Sequence, residues 1–336
     1  MASVTLFVGL DYHQAFIQVC VLDAAGKQIM NRRCDNSAAA VLEAVQRQGE
    51  PAAFAIESCC GAADFAEDLL AAGQQVSLAH AGYVHKLKQS PDKTDWSDAR
   101  LLADLLRVGY LPRVWLAPSN LRQLRHLVRY RQQLAKARRA AKLRVTALLR
   151  AERVVLVHTR WTKGWIEAVR QCVLLGEEGQ WVVRQQLDEI ESLQKRIAQA
   201  EKRLEELTAA DPFVTRLREM AGIGLVTAVA FRAELGTMDR FRSGKQLSRF
   251  CGLSPQNASS GQKQADAGLI KSANSELRSV VVEAAHRLIR LDPKWRQLGG
   301  ALKSRGKSGS LVAAAVANRW VRWLYHQLKA IPLQGA

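Results

Sequence analysis

The sequence predicts an α/β domain followed by a mainly α-helical region. Three predicted strands come first, and alternating helix and strand patterns follow them, which is the order typical of a layered α/β fold. Beyond residue 118 the apolar residues recur at helical spacing. We therefore divide the chain into an α/β domain over residues 1–118, a basic helix and coiled-coil region over 119–212, and a helical domain over 213–336.

The α/β domain contains two carboxylates at predicted strand ends. Residues 4–10 are apolar enough for a strand buried on both faces, and strands over 16–22 and 28–33 complete a meander. A helix over 38–48, a strand over 52–56, a helix over 62–72 and a strand over 75–79 then follow. Asp11 and Glu57 come directly after two of these strands. Functional sites in open α/β sheets gather at strand ends.

Two further carboxylates stand at the start of a predicted helix. Asp95 and Asp98 lie on one helix face, just before the apolar stretch 101–106. They could simply cap that helix. However, two unit charges about 4 Å apart repel by about 4 kcal/mol at an effective dielectric of 20, and Mg²⁺ relieves such repulsion through oxygen ligands. We expect Asp11, Glu57, Asp95 and Asp98 to bind Mg²⁺ for phosphoryl transfer.

Charge points to a polyanionic partner. The 336 residues include 49 Lys or Arg against 31 Asp or Glu, a formal charge of +18. This excess favours nucleic acid over a membrane surface. The sequence lacks an apolar run of about 18 residues and a signal-peptide pattern, so we expect a cytoplasmic protein with no membrane partner. The six cysteines match no zinc-site spacing.

A one-signed basic stretch follows the α/β domain. Residues 121–150 contain ten Lys or Arg and no Asp or Glu, with apolar residues at helical spacing. A solvated helix face normally mixes charge signs, so this run favours contact with a phosphate backbone. The nucleic-acid contacts predicted here are Arg122, Arg125, Arg129, Arg131, Lys136, Arg138, Arg139 and Lys142.

Residues 183–210 predict a coiled-coil seam. Their charges are mixed, and their apolar residues alternate spacings of three and four. The seam consists of Ile190, Leu193, Ile197, Ala200, Leu204 and Leu207. It extends over less than three heptads, so both a hairpin within the chain and pairing between chains stay open.

The C-terminal domain begins with a helix, Gly222-Ile223-Gly224 and a second helix, typical of a helix-hairpin-helix. The amides at the start of the second helix can face a phosphate, although a plain helical hairpin gives the same pattern. A polar loop over 256–263 follows, and such Ser/Gly loops are usually simple connections. We expect Gly222, Gly224, Lys263, Lys271 and Arg278 to contact nucleic acid.

These motifs resemble one family. Phe-Val-Gly-Leu-Asp11, Ala-Ile-Glu57-Ser and Lys93-Thr-Asp95-Trp-Ser-Asp98-Ala-Arg resemble the DEDD motif of bacterial insertion-sequence transposases. Ala-Gly222-Ile-Gly224, Phe-Cys-Gly-Leu-Ser-Pro255 and Ser260-Gly261 resemble that family's C-terminal transposase domain. The resemblance covers nearly the whole chain. It implies a RuvC-like domain of RNase H-like fold, metal binding by the four acids, and Ser260 as nucleophile.

The resemblance also implies partners that composition and spacing do not show. These are donor and target DNA, a structured guide RNA called the bridge RNA, and dimers that pair into tetramers on DNA. The protein would then associate with the bacterial nucleoid when active. We predict a transposase that cuts and rejoins DNA under RNA guidance.

Three alternatives explain part of the pattern. A RuvC-like structure-specific endonuclease, or resolvase, would use the same four acids without a serine. An actin-like or sugar-kinase ATPase would need a glycine-rich phosphate loop, which the stretch Asp11-Tyr12-His13-Gln14 lacks. A non-catalytic nucleic-acid-binding protein would explain the charge but leave the four acids without a role.

Overall fold

The computed structural model describes residues 4–88, 94–257, 266–270 and 273–329. The chain forms two compact units, Met1–Ser119 and Asn120–Ala336. The boundary that we placed near residue 212, within the second unit, stays a prediction.

A six-stranded mixed sheet forms the centre of the first unit. Its strands are β1 (Leu6–Tyr12), β2 (Phe16–Asp23), β3 (Gln28–Asp35), β4 (Ala52–Glu57), β5 (Gln75–Ala79) and β6 (Arg113–Val114). They lie in the order β3-β2-β1-β4-β5-β6. The β1–β2–β3 meander is antiparallel, whereas β4 runs parallel to β1 and β5 parallel to β4. This sheet with its helices is consistent with an RNase H-like domain.

Helices cover both faces of the sheet, and strand alternation decides which residues face them. The helices are α1 (Ala38–Gln46), α2 (Ala62–Ala71), α3 (Ala81–Leu87) and α4 (Asp95–Arg107). On β1 and β4, the even-numbered residues Leu10 and Ile56 pack with α1 and α2. The odd-numbered Ala53 and Ala55 pack with α4 instead. Because side chains alternate along a strand, Asp11 and Glu57 belong to the α4 side.

Gly9 allows α4 to approach the sheet closely. A Cβ atom at this position would lie 1.9 Å from the carbonyl oxygen of Ala99 and 2.5 Å from the backbone nitrogen of Ala103. The helix backbone therefore rests directly on β1, in a space that any larger side chain would fill. This contact fixes α4, and with it Asp95 and Asp98, over the strand that carries Asp11.

The second unit is mainly helical. Its helices are α5 (Ser119–Ala151, which begins at the unit boundary), α6 (Lys163–Arg170), α7 (Gly176–Thr208), α8 (Pro212–Arg218), α9 (Leu225–Leu235), α10 (Gly244–Phe250), α11 (Ser275–Leu291), α12 (Pro293–Ser304) and α13 (Gly309–Lys329). A small antiparallel pair, β7 (Pro255–Asn257) and β8 (Asp266–Leu269), lies between α10 and α11. The sequence patterns did not predict α6, α10 or α12.

The predicted coiled-coil seam is buried within the chain. Leu193 and Ile197 of α7 pack with Leu134 of α5. The preceding turns of α7, with Val183, Leu187 and Ile190, join a second apolar cluster with α5 and α6. The seam's predicted last residue is wrong, because Leu207 is 54% exposed and Thr208 is buried in its place. This packing corresponds to the hairpin alternative.

Among the described residues, no helix combines the length and apolar character that crossing a membrane requires.

Candidate active site

Asp11 and Glu57 are carried by neighbouring parallel strands. Asp11 lies inside β1, one residue before its end, rather than just past the strand as predicted. Glu57 is the last residue of β4. The paired register ends with Leu10 opposite Ile56, so the two acids are the next residues on adjacent strands.

Asp95 and Asp98 occupy the first turn of α4, but they do not cap it. Thr94 is the N-cap, and its Oγ1 accepts a hydrogen bond from the backbone N–H of Ser97 at 3.2 Å. The Ser97 side chain completes the capping box in return. The interpretation of these two aspartates as the cap is therefore wrong, and their carboxylates remain available for another task.

The structure brings Asp11 and Asp95 together around a histidine. Nε2 of His13 lies 3.2 Å from Oδ2 of Asp11 and 3.3 Å from Oδ1 of Asp95. Ligand atoms from these three residues all lie within 4.8 Å of one another. The side chains of Asp11 and Asp95 are 22% and 34% exposed, so the cluster opens to solvent at one side.

Two cationic side chains also contact the acids. Arg33 donates from Nη2 to Oδ2 of Asp95 at 3.2 Å, and Lys88 donates to Oδ1 of Asp98. Glu57 and Asp98 lie outside the triad of Asp11, His13 and Asp95, so their roles as metal ligands stay predictions. The sequence analysis missed His13, Arg33 and Lys88. The position of His13, two residues after Asp11, was the one available signal.

The electrostatics of Asp11 suit a cation site. Desolvation raises the pKa of Asp11 above its ordinary value, and the negative charges of Asp98 and Asp95 raise it further, while His13 opposes them. A carboxylate that is costly to ionise because of neighbouring carboxylates gains stability from a cation placed between them. The donor set of hard carboxylate oxygens fits Mg²⁺ or Mn²⁺.

A polar chain ties the start of α4 to the sheet. Gln18 lies opposite Asp11 on β2 and is 5% exposed. It donates to Oδ1 of Asn31 at 2.7 Å, and Asn31 donates to the carbonyl oxygen of Trp96 at 3.0 Å. Buried amides require such partners, so this chain fixes the helix start relative to Asp11. No sequence motif indicated this chain.

Cys59 lies near the acids but has no thiolate character. Desolvation raises the pKa of its thiol, and the negative charges of Glu57 and Asp11 raise it further. In the metal-free protein the thiol therefore stays protonated at neutral pH, which argues against a role as a nucleophile.

The second unit places most predicted cations of α5 beside partners of their own chain. Arg125 donates to the carbonyl oxygen of Ala233 at 2.6 Å. Arg129 pairs with Glu234, Arg131 with Glu201, and Lys136 with Glu276, while Arg138 donates to Gln194 and Lys142 lies over the ring of Trp161. Glutamates that are distant in sequence thus neutralise much of the positive charge of α5. Contact between α5 and nucleic acid stays a prediction.

Some predicted contacts do converge on one groove. A groove of about 760 Å³ is lined by Arg131, Lys136, Arg139, Gly222 and Gly224. Gly222 takes a left-handed backbone conformation, with φ of +78°. Its carbonyl oxygen accepts a hydrogen bond from Arg287 at 2.9 Å, which fixes the turn before α9. Glu201, Glu276 and Glu283 also line the groove, so its charge is mixed.

Three predicted residues, Ser260, Lys263 and Lys271, lie outside the described residues. Arg278 is described: its Nη1 donates to the carbonyl oxygen of Ile270 at 2.7 Å. It therefore holds the chain where β8 leads into α11.

A sheet consistent with an RNase H-like domain, with an aspartate on its first strand and two more on a helix packed against that strand, is typical of phosphodiester-transfer enzymes. The comparisons with known proteins agree. Residues 8–152 match the DEDD transposase family of IS110, and residues 214–299 match the family described as Transposase IS116/IS110/IS902.

Full-length relatives support the same assignment. A probable family 20 transposase of Pseudomonas aeruginosa is 27% identical over 329 residues, covering 95% of each chain. The transposase for insertion sequence element IS1111A of Coxiella burnetii is 26% identical over 94% of this chain and 88% of its own. The transposase for IS1328 of Yersinia enterocolitica is 24% identical over 96% of each chain. The chain belongs to the DEDD-type insertion-sequence transposases, and it is a DNA transposase.

Proposed function

We propose that this transposase is an RNA-guided recombinase that cuts and rejoins DNA at a site built from Mg²⁺, four carboxylates and Ser260. The observation that carries the metal part is the approach of Asp11 and Asp95, whose ligand atoms lie within 4.8 Å of each other and of His13. The family supplies DNA as substrate. The resemblance of the motifs supports Ser260 as the nucleophile and supports guidance by an RNA.

The four acids, Asp11, Glu57, Asp95 and Asp98, would hold the metal. When bound, Mg²⁺ supplies charge stabilisation to the phosphoryl oxygens of the scissile phosphate. Arg33 and Lys88 stand beside the acids and carry positive charge suited to a phosphate. The chain of Gln18 and Asn31 holds the start of α4 at a fixed height above β1.

Ser260 would perform the covalent step. A serine hydroxyl is a weak nucleophile and needs a neighbour or a polarised electrophile. Its oxygen forms a bond to phosphorus as the bond from phosphorus to a DNA sugar oxygen breaks, and the hydroxyl proton passes to that leaving oxygen. A second DNA hydroxyl then attacks the phosphorus of the phosphoserine, the bond from phosphorus to the serine oxygen breaks, and the proton of the attacking hydroxyl passes to that oxygen, which restores Ser260. Lys263 and Arg278, close in sequence, are suited to offset the developing negative charge.

Denaturing electrophoresis tests the serine directly. The full-length protein is incubated with guide RNA, Mg²⁺ and labelled target DNA, and covalent adducts are counted. We expect an adduct that disappears in Ser260→Ala, persists in the matched variant Ser259→Ala, and fails to form in EDTA. Adduct formation and recombination by Ser260→Ala would refute the serine assignment.

A resolvase-like endonuclease remains the alternative, because the same carboxylates support hydrolysis without a serine. Cut DNA without rejoined product, in reactions where Ser260→Ala is as active as the parent, would favour it. Guide RNA and assembly into dimers and tetramers, the latter on DNA, are part of the proposal. Sequencing of the nucleic acid that co-purifies with the protein tests the RNA, and sedimentation with and without target DNA tests the assembly.

A further inference from the structure

The C-terminal end of the sequence is a second one-signed basic segment. From Pro293 to Ala336 there are eight Lys or Arg and no Asp or Glu. The stretch from Phe241 to Asn257, which contains α10, also lacks acids. A solvated surface normally mixes both signs of charge, so two acid-free segments predict an anionic partner if they meet in the fold.

They do meet, because α10 packs directly on α13. A Cβ atom at Gly244 would lie 2.7 Å from the carbonyl oxygen of Arg322, so the two backbones are in close contact. A pocket of about 520 Å³ lies over this contact. Its basic lining residues are Arg242 and Lys245 from the α10 side and Arg322, His326 and Lys329 from α13.

These side chains continue along both helices. Arg319, Arg322, His326 and Lys329 follow spacings of three, four and three, which places them on one face of α13. Arg249 extends the face of Lys245 by one turn of α10. All seven side chains are exposed. We call these seven residues the α10–α13 basic surface.

The α10–α13 basic surface differs from α5 in one decisive respect. Several cations of α5 meet acids from elsewhere in their unit, as Arg131 meets Glu201. Within the part of the chain that the structure describes, none of the Lys or Arg residues of the α10–α13 basic surface forms an ion pair with an acid. An uncompensated, concave and one-signed surface attracts a polyanion strongly.

We propose that the α10–α13 basic surface binds the phosphodiester backbone of the DNA on which this transposase acts. From Arg319 to Lys329 the helix rises about 15 Å, and over that length of the duplex axis one strand of B-DNA carries about four phosphates. Phosphate contacts carry no sequence information, so this surface adds affinity on any duplex and fixes the register of the protein on it. We choose duplex DNA because DNA is the substrate that family membership establishes.

The test removes two of the charges and measures the salt dependence of binding. The variant is Lys245→Gln with Arg322→Gln in the full-length protein, assayed by fluorescence anisotropy on a labelled duplex at several NaCl concentrations. EDTA is present throughout, so the result is independent of the proposed metal and serine chemistry. Each lost phosphate contact should reduce the slope of log K against log salt by about 0.9, giving about 1.8 for the pair. The loss should be equal on cognate and unrelated duplexes.

The chain offers two matched controls. Lys195→Gln with Arg203→Gln removes the same charge from α7, where both cations pair with glutamates one turn away, and should leave the slope unchanged. Lys245→Arg with Arg322→Lys keeps the charge and should keep the parent slope. The double variant Lys245→Gln with Arg322→Gln could have a lower melting temperature than the parent. In that case the double variant Arg319→Gln with Lys329→Gln replaces it, and the same reduction in the slope of log K against log salt is expected. An unchanged slope on duplex DNA, or a loss confined to RNA, would overturn the proposal.

Discussion

Replacing Asp11 with asparagine should stabilise the metal-free protein and abolish its response to Mg²⁺. Asparagine keeps the shape of the side chain and an acceptor for His13, but it removes the charge that faces Asp95 and Asp98. The pKa of Asp11 is raised in the folded protein, so the fold holds this proton more tightly than the unfolded chain. The parent therefore loses stability as the pH rises through the folded pKa, and the variant does not.

The size of the effect follows from the geometry. Two unit charges 4.8 Å apart, the outer limit for the Asp11 and Asp95 ligand atoms, repel by about 3 kcal/mol at an effective dielectric of 20 and about 1 kcal/mol in water. Because Asp95 is 34% exposed and His13 offsets part of the repulsion, we take the lower end, about 1 kcal/mol. For a unit of this size that corresponds to about 3–5 °C in melting temperature.

Thermal melts in EDTA and in Mg²⁺ measure both halves of the prediction. In EDTA at pH 7.5, Asp11→Asn should melt above the parent, and the difference should shrink as the pH falls toward the ordinary pKa of 3.8. At a Mg²⁺ concentration 100 times its Kd, the parent should gain about 2.7 kcal/mol and the variant nothing. Asp104→Asn, on the same helix and paired with Arg107, is the matched control. A variant that melts lower in EDTA, or responds to Mg²⁺ like the parent, refutes the reasoning.

Three further predictions concern packing and charge. Gly9→Ala should lower the free energy of unfolding by about 1–3 kcal/mol in urea titrations, since its Cβ meets the backbone of α4; an unchanged midpoint would contradict the close contact. Leu193→Asp should unfold the second unit in circular dichroism, whereas the exposed Leu207→Asp should not, and equal melts would refute the buried seam. Arg139→Gln should reduce the salt slope of DNA binding by about 0.9 if the groove beside α5 contacts a phosphate, and an equal slope would reject that contact.

Apolar patterns predicted most elements of the first unit, because the strands β1 to β5 and the helices α1, α2 and α4 bury apolar side chains. The short helix α3 and the two-residue strand β6 were not predicted. The strand over 75–79 is observed as predicted, and the helix predicted over 62–72 is observed as α2, one residue shorter. Side-chain alternation along β1 and β4 places Asp11 and Glu57 on the α4 side. Resemblance and pattern together predicted Asp11 and Asp95, which the structure brings together, whereas a metal site of all four acids stays a prediction.

The remaining features depend on residues distant in sequence. His13 approaches Asp95, and Arg33 reaches it from β3, because the sheet and α4 meet at Gly9. Glutamates of α7 and α11 also form ion pairs with the basic residues of α5, and a count of charges within one helix cannot predict such pairs. A cap formed by the two aspartates was one alternative, because Asp is a good cap residue, whereas Thr94 and Ser97 form the capping box in the structure.

The central claim is that Asp11 and Asp95 hold a divalent cation together with the neighbouring acids. Anomalous diffraction from crystals of the full-length protein grown with Mn²⁺ tests it most directly. We predict an anomalous peak in coordination contact with the carboxylates of both Asp11 and Asp95, and its loss in Asp11→Asn crystals. A map with His13 still bridging the two aspartates and no peak beside them would contradict the account.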